Sequence, residues 1–161
     1  MTATSCVPKP AVVMCQDQSE THALAARLAS ELCAGDVVLL DGPLAAGKTA
    51  FVAALCTALG TTRPASSPTY TLSHIYPAER FDVIHVDAYR LTGLQAFEDL
   101  GLDEFLQEAA LVVEWGQNVA EGFETCLHVR IAFGDSETER RIELAAHGAR
   151  WQPVIARLAG G

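Results

Sequence analysis

Positive charge is scarce in this sequence: 11 Lys plus Arg stand against 20 Asp plus Glu in 161 residues, a formal charge of −9. Lys and Arg on phosphates supply most nucleic-acid affinity, so such a surface does not hold RNA or DNA tightly by itself. A polyphosphate ligand has to be met by one concentrated cationic site. Long hydrophobic runs are also missing. The longest, Ala50 to Cys56, is seven residues, against about 20 for a membrane span, so no span is expected. The first ten residues hold one Lys, two Pro and no apolar stretch, so no secretory leader is expected and a cytoplasmic location follows. The five cysteines (Cys6, Cys15, Cys33, Cys56 and Cys126) contain no C-x-x-C pair. Scattered through apolar segments, they read as reduced, buried thiols and not as a disulfide or metal framework.

Half of the residues are hydrophobic, enough to fill one core. The length predicts a loose leader over residues 1–10 and a single domain over 11–161. Ala11 to Cys15 can form an edge strand. Asp17 followed by Glu20 is a helix-start signal, and Leu24, Leu28 and Leu32 then recur at helical spacing until Gly35. Val37 to Leu40 and Ala109 to Val113 are short apolar runs of the kind buried in parallel sheets. Phe51, Leu55 and Leu59 form a second helical stripe, ended by Gly60. Tyr70–Tyr76 and Phe81–Tyr89 read as two strands joined around Pro77, and Thr92–Leu106 as one or two short helices. A late hairpin over 125–133 and 139–146, turning at Gly134-Asp135, precedes a closing helix over 149–158. Strands alternating with helices predict an α/β domain, P-loop NTPase-like, with a largely parallel sheet flanked by helices.

The segment Gly42-Pro43-Leu44-Ala45-Ala46-Gly47-Lys48-Thr49 matches G-x-x-x-x-G-K-[ST], the Walker A pattern, in full. The loop must curl until successive N–H groups converge on a phosphate, which calls for glycine where φ is unusual or a side chain would clash. The helix behind it starts at the phosphates, so its free N–H groups and positive dipole end favour the anion. Lys48 carries charge to the β- and γ-phosphates and Thr49 offers a hydroxyl to Mg²⁺. ATP and Mg²⁺ are the expected ligands. Pro43 has no N–H and fits only if that position faces away from the phosphates. Ala45 sits where a glycine would be comfortable, at a cost of roughly 1 kcal/mol if its φ is positive.

In an open parallel sheet, ligands sit beyond the carboxyl ends of the strands. Two acids directly follow apolar strands: Asp87 after Val83-Ile84-His85-Val86, and Glu114 after Ala109–Val113. Either can hold Mg²⁺ directly or through water, or orient an attacking water. Ser66-Ser67-Pro68-Thr69-Tyr70 is a polar turn that can bring Thr69 near the γ-phosphate, switch-fashion, or be an ordinary proline turn. His85 alternates with core positions and is assigned no role.

Four blocks taken together resemble the TsaE family, the ATPase of bacterial tRNA threonylcarbamoyladenosine biosynthesis. They are the phosphate loop, Ser67-Pro68-Thr69-Tyr70-Thr71-Leu72, His85-Val86-Asp87-Ala88-Tyr89-Arg90-Leu91, and Val112-Val113-Glu114-Trp115. The resemblance implies that Lys48 and the loop from Gly42 to Thr49 bind ATP, that Thr49 and Glu114 hold Mg²⁺, and that Asp87 and Thr69 support hydrolysis. It places further nucleotide contacts at Thr21 and Arg141. Pro43, Ala45 and Ala50 stand where the family usually has Asp, Gly and a second Thr. The resemblance also implies partners, the TsaB and TsaD proteins, with tRNA met only through that complex; the acidic composition agrees. Two other readings compete. A small-molecule kinase commonly uses an arginine-bearing lid, and residues 91–129 contain no Lys or Arg. A non-hydrolysing, nucleotide-dependent scaffold is suggested only by Ala45.

Overall fold

Five successive buried residues make up β2 (Val37–Asp41), and such a strand needs cover on both faces. In the computed structural model, which describes residues 9–62 and 73–160, it lies at the centre of the sheet. Its neighbours are β5 (Ala109–Glu114) and β6 (Cys126–Phe133), both parallel to it. β4 (Asp82–Asp87) runs parallel to β5 on the far side. The edges are antiparallel: β3 (Ser73–Tyr76) on β4, β7 (Arg140–His147) on β6, and β1 (Ala11–Cys15) on β7. The seven strands stand in the order β1-β7-β6-β2-β5-β4-β3.

The expectation of a largely parallel sheet is therefore corrected to a mixed one, with a parallel centre and antiparallel margins. Connection length explains the difference. Tight turns at Gly134-Asp135 and after Tyr76 can join only antiparallel neighbours, whereas parallel ones need a long crossover.

Period-two alternation divides the core. Val38, Leu40, Ala110, Val112, Leu127 and Val129 face the layer of α1 (Gln18–Glu31), α2 (Lys48–Leu59) and α4 (Trp151–Ala159). Val37, Leu39, Ile84, Val86, Leu111 and Val113 face the other layer, with Phe97 of the short helix α3 (Leu94–Glu98) and Leu102. Of the expected helical region over 92–106, only α3 is helix; two single 3-10 turns follow β5, at Gly116–Asn118 and Ala120–Gly122.

The start of α1 is fixed as its sequence suggests. The Asp17 carboxylate caps the helix by accepting the Glu20 N–H at 2.9 Å, and the Glu20 carboxylate reaches back to accept the Gln16 N–H, one residue before the cap, at 2.6 Å, close to the capping-box pattern. Cys15, Cys56 and Cys126 are buried, and burial raises the Cys56 and Cys126 thiols to about 11; Cys33 is exposed, contrary to expectation. Among the described residues no helix is long and apolar enough to cross a membrane. Residues 1–8 of the expected leader, and the Ser66–Leu72 segment with Thr69, lie outside the described residues.

Candidate functional site

Two glycines set the shape of the loop between β2 and α2. At Gly42, where φ is 149°, a Cβ would lie 2.2 Å from the Ile131 carbonyl oxygen, so no other residue fits. Gly47, with φ of 107°, turns the chain into α2. Ala45 between them has φ of 66°, the left-handed region, at a cost of roughly 1 kcal/mol. Pro43 contributes its carbonyl, which accepts the Ala46 N–H at 3.1 Å. The first N–H groups of α2 have no acceptors within the helix, and they open where an anion would be drawn.

Lys48, only 5% exposed, is solvated by its own loop. Its ammonium donates to the carbonyls of Gly42 at 2.7 Å and Pro43 at 2.9 Å, and lies 4.1 Å from the centroid of the Trp115 ring. Burial lowers its pKa below the usual lysine value, opposed by the charges of Glu114, Asp41 and Asp87.

The two acids predicted from strand ends come together because β4 and β5 pair in parallel with Asp87 opposite Glu114. Glu114 is buried; one carboxylate oxygen accepts the Thr49 hydroxyl at 2.8 Å and the other the His85 Nε2 at 2.6 Å. Asp87 accepts the Tyr89 N–H at 3.0 Å. A cavity of about 250 Å³ is lined by Ala45, Gly47, Lys48 and Thr49 together with Asp87, Glu114 and Trp115. Hard oxygen donors from Thr49 and Glu114 beside room for water suit a Mg²⁺ ion, which keeps several waters and takes only one or two carboxylates. A buried ammonium and helix N–H groups across from them suit a polyphosphate.

Two expected nucleotide contacts are not brought to this cavity. Thr21, in the first turn of α1, donates its hydroxyl to the Asp17 carbonyl at 3.3 Å and is absent from the cavity wall. Arg141 leaves β7 on the face opposite Ile142 and Leu144 and pairs with Glu143 at 3.3 Å. Its neighbour Arg140 points the other way and donates to the Ala46 carbonyl of the loop at 2.9 Å, tying the β6–β7 hairpin to it. The parity of Ile142 and Leu144 is the sequence signal that puts Arg140, and not Arg141, on the face of the phosphate loop. His85 belongs to the site too, with a parity signal of its own: it shares a strand face with Asp87. A third residue, Asp41, is buried at the end of β2, pairs with His128 and accepts the Gln117 N–H at 3.1–3.2 Å, gripping the turn behind Trp115.

A family model described as threonylcarbamoyl adenosine biosynthesis protein TsaE matches residues 15–142. This chain belongs to the TsaE family. Among similar TsaE proteins, the tRNA threonylcarbamoyladenosine biosynthesis protein TsaE of Streptomyces coelicolor is 41% identical over 145 residues, covering 85% of this chain and 98% of that protein. The Mycobacterium leprae TsaE protein is 38% identical over 154 residues, covering 90% and 92%. Among solved structures, the crystal structure of YdiB from Bacillus subtilis superposes with a TM-score of 0.77 at 29% identity, covering 94% of this chain and 95% of that one. All four blocks that carried the TsaE resemblance fall within the matched residues.

Trp115 provides a reporter for this TsaE site. It lies against Lys48 and meets the Tyr89 ring at a tilt of 50° with centroids 5.0 Å apart, while the other tryptophan, Trp151, is buried on α4. Adding ATP is expected to change the intrinsic fluorescence, and Trp115→Phe to remove most of the change. A signal that survives the substitution places Trp115 outside the binding event.

Proposed function

We propose that this chain is a magnesium-dependent ATPase serving tRNA threonylcarbamoyladenosine biosynthesis, acting on a TsaB–TsaD complex and meeting tRNA only through it. The observation that carries the reading is the meeting of Lys48, Thr49, Asp87 and Glu114 around one cavity at the mouth of a glycine-turned loop. In this reading Lys48 leaves the Gly42 and Pro43 carbonyls for the β- and γ-phosphates, and the loop amides hold the same groups. Thr49 and Glu114 hold the cation. Magnesium, when bound, supplies charge to the phosphate oxygens as a Lewis acid. Asp87, at the adjacent strand end, orients the water side of the cavity, and Thr69 is assigned a supporting part there.

Family membership and the lack of Lys and Arg from residue 91 to 129 favour this over a metabolite kinase. The same absence motivates partner activation, since phosphoryl transfer gains from cations beyond the loop lysine and the metal. The acidic stretch from Glu98 to Glu124 complements a basic partner surface. Phosphate release should be slow for the chain alone, require Mg²⁺, rise on adding TsaB–TsaD, and lose that rise as salt increases. A chain that turns over as fast alone as in the mixture overturns partner activation, and phosphate passed to an added metabolite replaces the ATPase reading with the kinase.

A further inference from the structure

The imidazole of His85 is fully buried within β4, between Ile84 and Val86. That position favours an apolar side chain. Among the described residues its one polar contact is Nε2 to the Glu114 carboxylate at 2.6 Å, Nδ1 has no hydrogen-bond partner, and the ring of Tyr76 is 6.4 Å away between centroids. The hydrogen-bonding investment of this side chain goes to one oxygen of one acid.

The sheet register makes the contact possible. His85 stands opposite Val112 and Asp87 opposite Glu114, so His85 and Glu114 are diagonal neighbours on the face that carries the phosphate loop. An ionised carboxylate only accepts hydrogen bonds, so Nε2 is the protonated nitrogen in this contact. The two oxygens of Glu114 are thereby divided: one is fixed from behind by His85 and the other is turned to the Thr49 hydroxyl at 2.8 Å.

We infer that His85 is a positioning residue, which locks the carboxylate of Glu114 in the orientation that presents its other oxygen, the one beside the Thr49 hydroxyl, to a divalent cation. This rests on the magnesium–nucleotide reading of the cavity. Magnesium demands near-ideal octahedral geometry, so a carboxylate already held in one rotamer binds it with less reorganisation than one free to swing. Hydrogen-bonding partners behind metal-binding side chains typically account for about 10–100-fold in metal affinity. A histidine present only to fill space would leave metal affinity indifferent to the loss of its N–H.

The test is Mn²⁺ binding to ADP-loaded protein, read from the loss of the free-ion paramagnetic resonance signal, beside ADP affinity in EDTA measured by calorimetry. His85→Leu should weaken Mn²⁺ by about tenfold or more while leaving metal-free ADP affinity unchanged. His85→Gln, whose amide nitrogen reaches the place of Nε2, should recover most of the loss, and His85→Asn, whose amide ends short of Glu114, should not. Should His85→Leu fail to fold, the Gln and Asn variants decide. Wild-type Mn²⁺ affinity in His85→Leu, or equal affinities in the Gln and Asn variants, overturns the inference and leaves the site's reading intact. Failure of the unsubstituted, ADP-loaded chain to bind Mn²⁺ overturns both.

Discussion

Lys48→Ala is expected to weaken ATP binding by about a hundredfold or more. Hydrogen bonds to charged groups contribute on the order of 1.5–3 kcal/mol, and about 2.7 kcal/mol is a factor of a hundred. The ammonium is buried and faces the cavity, so no surface lysine can substitute for it. Its removal also strips the Gly42 and Pro43 carbonyls of their donor and leaves Glu114, Asp41 and Asp87 with less compensating charge. Calorimetry with ATP and a thermal melt on the same sample separate lost binding from lost folding. Undiminished affinity in a folded variant removes Lys48 from the phosphate site.

Glu114→Ala should divide turnover from binding. In the proposed reading Glu114 holds the metal, whose Lewis acidity is worth several kcal/mol of charge stabilisation in the transition state, so hydrolysis with partners present should fall by roughly 10²–10³. ATP affinity in EDTA should not fall, because the loop amides and the Lys48 ammonium remain in place. Asp87→Ala should move in the same direction by less, its carboxylate being partly exposed and engaged with the Tyr89 N–H. Rates are read as phosphate release at saturating ATP, and a large fall in affinity with turnover preserved would reverse the two roles. Glu114→Gln keeps the side-chain shape against His85 and Thr49 and serves as the control for packing.

The features visible in the sequence are those fixed by neighbours along the chain. The loop from Gly42 to Thr49 and the helix cap of Asp17 and Glu20 are local chemistry, and both stand where the residues place them. The apolar runs at Val37 and Ala109 announce buried strands, and the acids behind β4 and β5 follow from strand polarity. What escaped depends on which strands lie side by side. Arg141 and Arg140 differ only in the face of β7 they leave from. His85 looks like any core histidine until β4 is set beside β5 in register. Asp41 meets His128 only because β6 borders β2, an adjacency that no local pattern encodes. The hairpin of β6 and β7 is announced by its turn, but the pairing of β1 is not: β1 precedes the other strands, yet its partner is β7, the last of them.

That strand order also governs when the loop can acquire its shape. β2 and the loop emerge early in synthesis, but the neighbours that hold β2 are residues 109–114 and 126–133. The Ile131 carbonyl that crowds Gly42, and the Arg140 side chain that grips Ala46, come later still in the chain than β5. A nascent chain released only as far as α2 therefore carries Val37 to Leu40 as an unpaired apolar strand with no geometry for a ligand to select. Such non-local pairing slows folding, because the entropy of loop closure is lost before contacts reward it, and it leaves transient strand edges open to misassociation. A ligand of the loop cannot template the early steps, because the loop has its full set of contacts only once β6 and β7 have paired beside it.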